Sequence, residues 1–219
     1  MKRLGPILLS GIFVGLYLVF LFWYGGSGKP LSESEINAFI TEIQRRAGAT
    51  GLEESVLLRD LRNLAKSDDG KEFYMVNLLK YRKKALYPKG YNYNDDAMAA
   101  NTRYSHGIVP ALLKYGGHPV FLGRVQGRFI HPTDADDWDQ VGIVRYRSRR
   151  DLMKMVVGIA GTDLNVHKWA ALEKTQVFPV KPEISFVFVR GLAAVIFALT
   201  GLFLHLLLRG LNVYGKPRT

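Results

Sequence analysis

The stretch "FYMVNLLKYRKKA", residues 73–85, decides the fold, because its hydrophobic pattern does not fit a half-exposed strand. A strand with one wet face alternates apolar and polar side chains, since successive side chains point to opposite faces. Here both alternating sets are apolar apart from one amide: the first is Phe73, Met75, Asn77, Leu79 and Tyr81, and the second is Tyr74, Val76 and Leu78. The pattern therefore predicts a strand that is covered on both faces.

The segments that follow this strand predict the order β-α-β-β-α-β for a main domain over residues 71–182. Gly116 and Gly117 end a helical pattern and form a helix-stop signal, and Ser148 is suited to cap a helix. We predict helices over 95–115, 148–158 and 161–175, and strands over 118–130, 137–146 and 176–180. This order is the split βαβ of a ferredoxin-like fold, so the predicted fold class is α+β.

Two helices are predicted in a lead-in segment, residues 25–70. Ser32 and Glu35 have the spacing of a capping box, which indicates that an amphipathic helix begins there and runs to about Arg46. A second helix is predicted over about 53–66.

The second apolar face of the strand needs a cover, because the helices of a ferredoxin-like domain cover only one face of the sheet. A homodimer that pairs its two sheets into an α/β barrel supplies this cover. A helix from residues 31–66 that folds across the open face of the same chain is the alternative. We favour the homodimer, and the sequence leaves both possibilities open.

Two apolar segments, residues 6–24 and 184–208, are long enough to cross a membrane as helices. Roughly 20 apolar residues, at about 1.5 Å of rise each, span a hydrocarbon core of about 30 Å. The first segment is longer than the apolar core of a signal peptide, and no small-residue cleavage site follows it. We therefore expect both segments to be membrane helices.

The charges beside the spans predict the topology. Positively charged short flanks stay in the cytoplasm, whereas a long loop crosses the membrane largely regardless of its charge. Residues 1–5 and 209–219 are therefore expected in the cytoplasm, and residues 25–183 are expected outside it, in the periplasm of a Gram-negative cell. The basic flanking residues are Lys2, Arg3, Arg209, Lys216 and Arg218.

Four separated blocks span about residues 72–180: "MVNLLKY", "RYSHGIVPALLKYGGHPVFLGRV", "WDQVGIVRYRSRRDLMKMV" and "HKWAALEKT". Together they resemble the family catalogued as domain of unknown function 1330. The resemblance implies a ferredoxin-like fold and a dimeric α/β barrel, and it implies no reaction, because the family has no settled activity. The chain departs from the family where Arg147 stands for the usual Pro and where His167-Lys168 stands for His-Arg.

Six residues are candidates for a site in the barrel. Arg124 and Arg145 are predicted to lie on the two central strands. They would clamp a carboxylate if both faced the lumen, and they would be solvated if they faced the edge. A buried amide needs partners, so Asn77 either tethers neighbouring structure or reaches into a ligand pocket. The candidates are Asn77, Tyr104, Arg124, Trp138, Arg145 and His167.

Acid–base chemistry has few candidates in this chain. Tyr104, His106 and His167 are the available set, and His167 is the best single candidate because it lies in a block that matches the family. Trp138 is expected to cap the barrel.

Composition and motifs exclude several classes of function. The chain has no cysteine, which excludes disulfides, thiolate metal sites and a cysteine nucleophile. The net charge is +11, but the basic clusters lack interleaved aromatic residues, so we expect no nucleic-acid partner. The acidic segment 134–139 lacks the Gly and Glu of an EF-hand loop, and zinc and phosphate motifs are missing from the sequence. We therefore expect no metal and no cofactor.

Two functions remain open. The first is a membrane-anchored accessory protein whose spans contact membrane lipid. It is either a homodimer or a subunit of a membrane protein complex, and its barrel binds a partner or a small apolar ligand. The second is a cofactor-independent oxygenase or isomerase that acts on a small apolar or carboxylate substrate through His167 together with Asn77 or an arginine. Lys168 in place of the family's Arg, with no acid–base pair evident in the sequence, favours the first.

Overall fold

The computed structural model of the protein describes residues 4–47, 54–93, 96–130, 137–185 and 187–210. The chain divides into two compact units: residues 26–183 form one, and residues 1–25 with residues 184–219 form the other. The first unit contains the sheet, and the second contains two long apolar helices.

Seven helices and four strands occur in the described residues. The helices are α1 (Leu4–Gly25), α2 (Glu33–Ala47), α3 (Glu54–Lys66), α4 (Ala97–Lys114), α5 (Arg149–Ile159), α6 (Leu164–Ala171) and α7 (Val189–Gly210). The strands are β1 (Phe73–Tyr81), β2 (His118–Arg124), β3 (Gln140–Tyr146) and β4 (Leu172–Val180).

The four strands form one antiparallel sheet in the order β2-β3-β1-β4. The two central strands are therefore β3 and β1. The prediction that the strands of Arg124 and Arg145 are the two central ones is wrong for Arg124, because β2 lies at an edge of the sheet. Asn77 on β1 lies opposite Gly142 on β3 and opposite Val177 on β4. The helices and the antiparallel sheet confirm the predicted α+β class.

Helices α4 and α5 cover one face of the sheet. Phe73 and Met75 of β1 pack there against Leu112 of α4 and against Leu152 and Met155 of α5. The first alternating set of β1 therefore faces the helices, and the core of the domain lies on this side.

The opposite face of the sheet is also apolar. We call it the open face and define it by Val76, Leu78, Val141, Ile143 and Phe178, which are neighbours across the β1, β3 and β4 pairings. These side chains are only partly buried or exposed, and Phe178 is 37% exposed. The single chain thus leaves apolar surface on this face.

The predicted capping box begins α2. The backbone N–H of Ser32 donates to the Glu35 carboxylate at 2.9 Å, and the backbone N–H of Glu35 donates to the Ser32 hydroxyl at 3.3 Å. Two N–H groups that the first helical turn leaves without helical partners are satisfied in this way.

Helices α2 and α3 pack on α5, where Ile36, Ile40 and Leu58 surround Met153. Because α5 covers the Phe73 side of the sheet, α2 and α3 belong to that side as well. The alternative in which residues 31–66 fold across the open face is therefore wrong for the part of this segment that the structure describes.

Strand β4 begins earlier than predicted. Residues 172–175, which the sequence predicted to be helical, belong to β4, and Thr175 lies opposite Leu79 of β1. The Ala, Leu, Glu and Lys residues around them favour helix only locally. Pairing with an interior strand outweighs this preference.

Strands β2 and β3 are shorter than predicted. β2 ends at Arg124 rather than near residue 130, because β3 begins at Gln140, directly opposite Arg124. The backbone N–H of Val125 still donates to the Asp139 carbonyl at 2.9 Å, and residues 126–130 pair with no strand among the described residues. Residues 134–136 of the acidic segment lie outside the described residues.

Helices α1 and α7 are long and apolar enough to cross a membrane, and little of their surface is buried. The candidate spans are Ile7–Gly25 and Val189–Gly210. The two helices contact each other through Phe13 and Phe197, whose ring centroids are 6.5 Å apart. These properties agree with the two predicted membrane segments.

Candidate functional site

A cavity of about 390 Å³ lies between the sheet and the helices on the Phe73 side. We call it the main cavity. Strands β1 and β4 form its floor, and helices from α2 to α6 form its walls. Most of the lining is apolar, and the polar side chains in it are those of Asn77, Tyr104, Tyr146, Asn165, Lys168, Trp169 and Thr175.

A second cavity, of about 250 Å³, lies beside the main cavity. The two share a wall formed by Asn77, Tyr104, Ile108, Tyr146 and Lys168. Among the described residues, Lys168 is the one charged residue that lines either cavity. A single cation therefore lies between two largely apolar spaces.

The helical period of α6 directs Lys168 into the main cavity. Asn165, Lys168 and Trp169 are spaced at three and four residues, so they share one face of the helix. The Lys168 ammonium nitrogen lies 5.3 Å from the ring centroid of Trp169 and 5.8 Å from that of Tyr104. Burial among these apolar groups lowers the pKa of the Lys168 amine, because desolvation disfavours its charged form.

Two phenols stand near this amine. Burial raises the pKa of Tyr104 to about 12. Burial also raises the pKa of Tyr146, and the electrostatic effect of Tyr104 makes a smaller contribution in the same direction. Both side chains are therefore neutral O–H groups at neutral pH, which can donate a hydrogen bond but cannot neutralise Lys168.

Asn77 lies in the floor of both cavities. Its side-chain amide nitrogen donates to the carbonyl of Met75 at 3.2 Å and to the carbonyl of Gly142 at 3.3 Å. The amide thus tethers β1 to β3 and also presents a polar group to the cavity. The two roles that the sequence suggested for Asn77 are compatible in this arrangement.

Arg145 does not reach the cavity. Its side chain is fully buried, and the guanidinium donates to the Glu72 carboxylate at 2.6 and 3.0 Å and to the carbonyl of Gly116 at 2.8 Å. These are the contacts of a residue that holds the start of β1 to the α4–β2 connection.

Arg124 and Arg145 lie on opposite faces of the sheet. Arg124 lies opposite Gln140, and Arg145 is five residues beyond Gln140 on the same strand, so the alternation of side chains separates them. Arg124 is also exposed. The two arginines therefore do not form the predicted carboxylate clamp.

His167 belongs to an aromatic cluster rather than to the cavity. Its Nδ1 lies 3.0 Å from the Tyr87 hydroxyl oxygen, and Arg103 donates to the same oxygen at 3.3 Å. The Tyr93 ring approaches the imidazole edge-on. Desolvation lowers the pKa of His167, and the positive charge of Arg103 makes a smaller contribution in the same direction. His167 is thus separated from Asn77 and from both candidate arginines.

Trp138 precedes β3, outside the lining of both cavities. Its ring lies 4.7 Å from the Lys174 ammonium nitrogen. Nearby, Lys80 pairs with Asp137 at 2.7 Å and with Asp139 at 3.1 Å. Asp137 and Asp139 therefore form ion pairs with Lys80 next to the undescribed residues 131–136.

Of the six candidate residues, the structure brings Asn77 and Tyr104 together in the shared wall of the cavities. The structure adds Lys168, which the sequence marks only as a departure from the pattern of the family that the chain resembles. The spacing of Asn165, Lys168 and Trp169 was the available signal, since it places a lysine beside an aromatic residue on one helix face.

Comparisons with known proteins support the fold and assign no activity. No family model matches the chain, and no curated protein matches it. The crystal structure of RPA0582, a protein of unknown function from Rhodopseudomonas palustris, is 24% identical, with a TM-score of 0.52 over 58% of this chain and 94% of that chain. The structure of methylated RPA0582 is 25% identical, with a TM-score of 0.51 over 59% of this chain and 92% of that chain. The chain therefore resembles nearly the whole of a protein of unknown function.

Proposed function

We propose that this protein is a membrane-anchored binding protein whose domain, residues 26–183, holds a small and mostly apolar molecule in the main cavity. The observation that carries the proposal is the cavity itself, which lies inside the domain and is lined mainly by apolar side chains. Its volume of about 390 Å³ lies within the range of roughly 300–1,000 Å³ that is usual for small-molecule sites.

A binding role is favoured over catalysis by the placement of His167. The enzyme alternative needs His167 to converge with Asn77 or an arginine in the cavity, and the imidazole instead contacts Tyr87. The described lining of the main cavity also contains no histidine and no carboxylate. Binding requires none of these groups.

Co-purification tests the proposal. The full chain is extracted in mild detergent, and its small-molecule content is determined by native mass spectrometry. Val177→Phe places a larger side chain at a lining position, and Gln176→Phe changes its neighbour on the opposite face of β4. We expect bound molecule in the wild type and in Gln176→Phe, and loss in Val177→Phe. A wild-type protein that carries nothing and takes up no apolar probe would refute a binding role.

The open face supports a ferredoxin-like domain that pairs with a second copy to form an α/β barrel, as the resemblance to the domain of unknown function 1330 implies. The apolar residues of this face, such as Leu78, would become buried in the pair. Because the chain has no cysteine, Leu78→Cys supplies a single thiol there. A short bis-maleimide should crosslink this variant as a dimer and leave Lys114→Cys, on α4, monomeric. Equal crosslinking of both would contradict the pairing.

The flanking charges support a topology with both termini in the cytoplasm and the domain in the periplasm. Alkaline phosphatase fused within residues 70–180 should be active in a Gram-negative host, because the enzyme folds only outside the cytoplasm. Activity at the C-terminus with inactivity in the domain would invert the topology.

A further inference from the structure

We propose that the main cavity selects molecules that carry a carboxylate, and that the Lys168 ammonium binds this carboxylate. The inference rests on the proposed binding function and specifies its ligand class: an apolar acid whose charged end lies in the wall shared by the two cavities.

The charge balance of the cavities leads to this class of ligand. The described lining contains one cation, Lys168, and contains neither Asp nor Glu. A cation taken out of water is costly unless an opposite charge accompanies it. Tyr104 and Tyr146 are neutral, so the described lining supplies no anion at this position. An anionic ligand can supply it.

The aromatic neighbours of Lys168 favour a cation over a neutral amine. The ammonium nitrogen lies within 6 Å of the ring centroids of Tyr104 and Trp169, at 5.8 and 5.3 Å. Aromatic faces attract cations at this range, and they leave the hydrogen-bonding capacity of the ammonium unused. Lys168 is therefore prepared to donate to an incoming oxygen.

The shared wall contains a second donor for a carboxylate. Tyr104 lines both cavities beside Lys168, and its hydroxyl remains protonated at neutral pH. A carboxylate has two oxygens, so it can accept from the ammonium and from the phenol at the same time. The apolar lining, which includes Met75 and Leu61, then surrounds the rest of the molecule.

The candidate arginines cannot take this role. Arg145 donates to Glu72 and Gly116, and Arg124 is exposed outside the cavities. The sequence suggested that Arg124 and Arg145 bind a carboxylate. In this proposal Lys168 of α6 binds it instead.

A matched set of eight-carbon probes tests the inference: octanoate, 1-octanol and octylamine, titrated by calorimetry into the full chain in detergent. The wild type should bind octanoate roughly tenfold or more tightly than 1-octanol, as expected of a charge-assisted hydrogen bond. Octylamine should bind more weakly than both, because it places a second cation beside Lys168.

Two substitutions assign the preference to the ammonium. Lys168→Met, which keeps the length of the side chain and removes its charge, should bind octanoate and 1-octanol with similar affinity. Lys168→Arg should restore the preference for octanoate. Lys154→Met, at an exposed position on α5, is the matched control and should behave like the wild type.

The outcomes separate this inference from the binding function. If the wild type binds neither octanoate nor 1-octanol, the binding function itself is wrong. If it binds 1-octanol as tightly as octanoate, or if Lys168→Met keeps the preference, the cavity binds apolar molecules and the carboxylate inference is overturned.

Discussion

The ion pair between Arg145 and Glu72 offers the sharpest test of the structure, because the sequence suggested a ligand-binding role for Arg145. The structure shows a fully buried guanidinium that donates two hydrogen bonds to Glu72 and one to the carbonyl of Gly116. Arg145→Met fills similar space and removes all three. We expect the variant to be strongly destabilised and to keep its binding properties.

The magnitude follows from the burial of the two partners. Breaking a buried ion pair by removing one partner costs about 3–5 kcal/mol. The Glu72 side chain is 30% exposed and can regain hydration, which reduces the expected loss in the free energy of unfolding to roughly 2–4 kcal/mol. For a domain of this size that corresponds to a melting temperature lower by roughly 5–15 °C.

Thermal unfolding of the full chain in detergent, followed by near-ultraviolet circular dichroism, measures this loss. Arg124→Met is the matched control, because Arg124 is exposed on the same sheet, and it should change stability by less than about 0.5 kcal/mol. Replacing Arg145 and Glu72 together by Met should recover part of the loss, since no carboxylate is then left in place. An Arg145→Met protein that melts like Arg124→Met would refute the structural role.

Three further substitutions test the cavity and its surroundings. Lys168→Met is expected to raise the melting temperature of the ligand-free protein by roughly 2–8 °C, because a desolvated cation is removed. A lower melting temperature, with Lys154→Met unchanged, would show that Lys168 stabilises the fold. Asn77→Leu removes two hydrogen bonds and should cost about 1 kcal/mol in urea denaturation, whereas an unchanged midpoint would restrict the amide to a role in binding. The pKa of His167 lies below its unfolded value of 6.5, so the native state favours the neutral imidazole. Its contribution to stability is complete above pH 6.5 and is lost as the pH falls through the native pKa. His167→Gln should flatten this dependence below pH 6.5, and equal slopes in both proteins would contradict it.

Rules that use only neighbouring residues correctly predicted the apolar pattern of β1 and the caps at the starts of α2 and α5. The alternation in β1 predicted both apolar faces of the strand, and Phe73 is 1% exposed as expected. The Ser32–Glu35 capping box is present, and Ser148 caps α5 by accepting from the backbone N–H of Asp151. Each of these depends on residues that lie within a few positions of one another.

Features that depend on strand register were beyond such rules. The side of the sheet on which an arginine lies depends on which residue it pairs with, and the sequence does not state the register of β2 with β3. β2 also contains an irregularity between Pro119 and Phe121 that changes its alternation. The separation of Arg124 from Arg145 therefore became visible only in the folded sheet.

The importance of Lys168 was hidden for a related reason. A lysine on a helix is usually solvated, and the partial burial of Lys168 depends on contacts from α4 and the sheet as well as from α6. Helix propensity in residues 161–175 also suggested one continuous helix, which concealed the end of α6 at Ala171. The sequence indicated an apolar domain with few acid–base groups. Only the folded chain shows that the Lys168 ammonium lies in the wall shared by the two cavities.

The direct passage from α6 to β4 has a mechanical consequence. Ala171 ends the helix and Leu172 begins the strand, and the backbone N–H of Leu172 donates to the carbonyl of Lys168. With no loop residue between them to act as a hinge, a rotation of α6 has to be taken up as torsion in the edge strand. Two glycines inserted after Ala171 would uncouple the two elements. In the unmodified chain, a ligand that fills the space beside Lys168 should change amide hydrogen exchange along β4. The insertion should abolish this change.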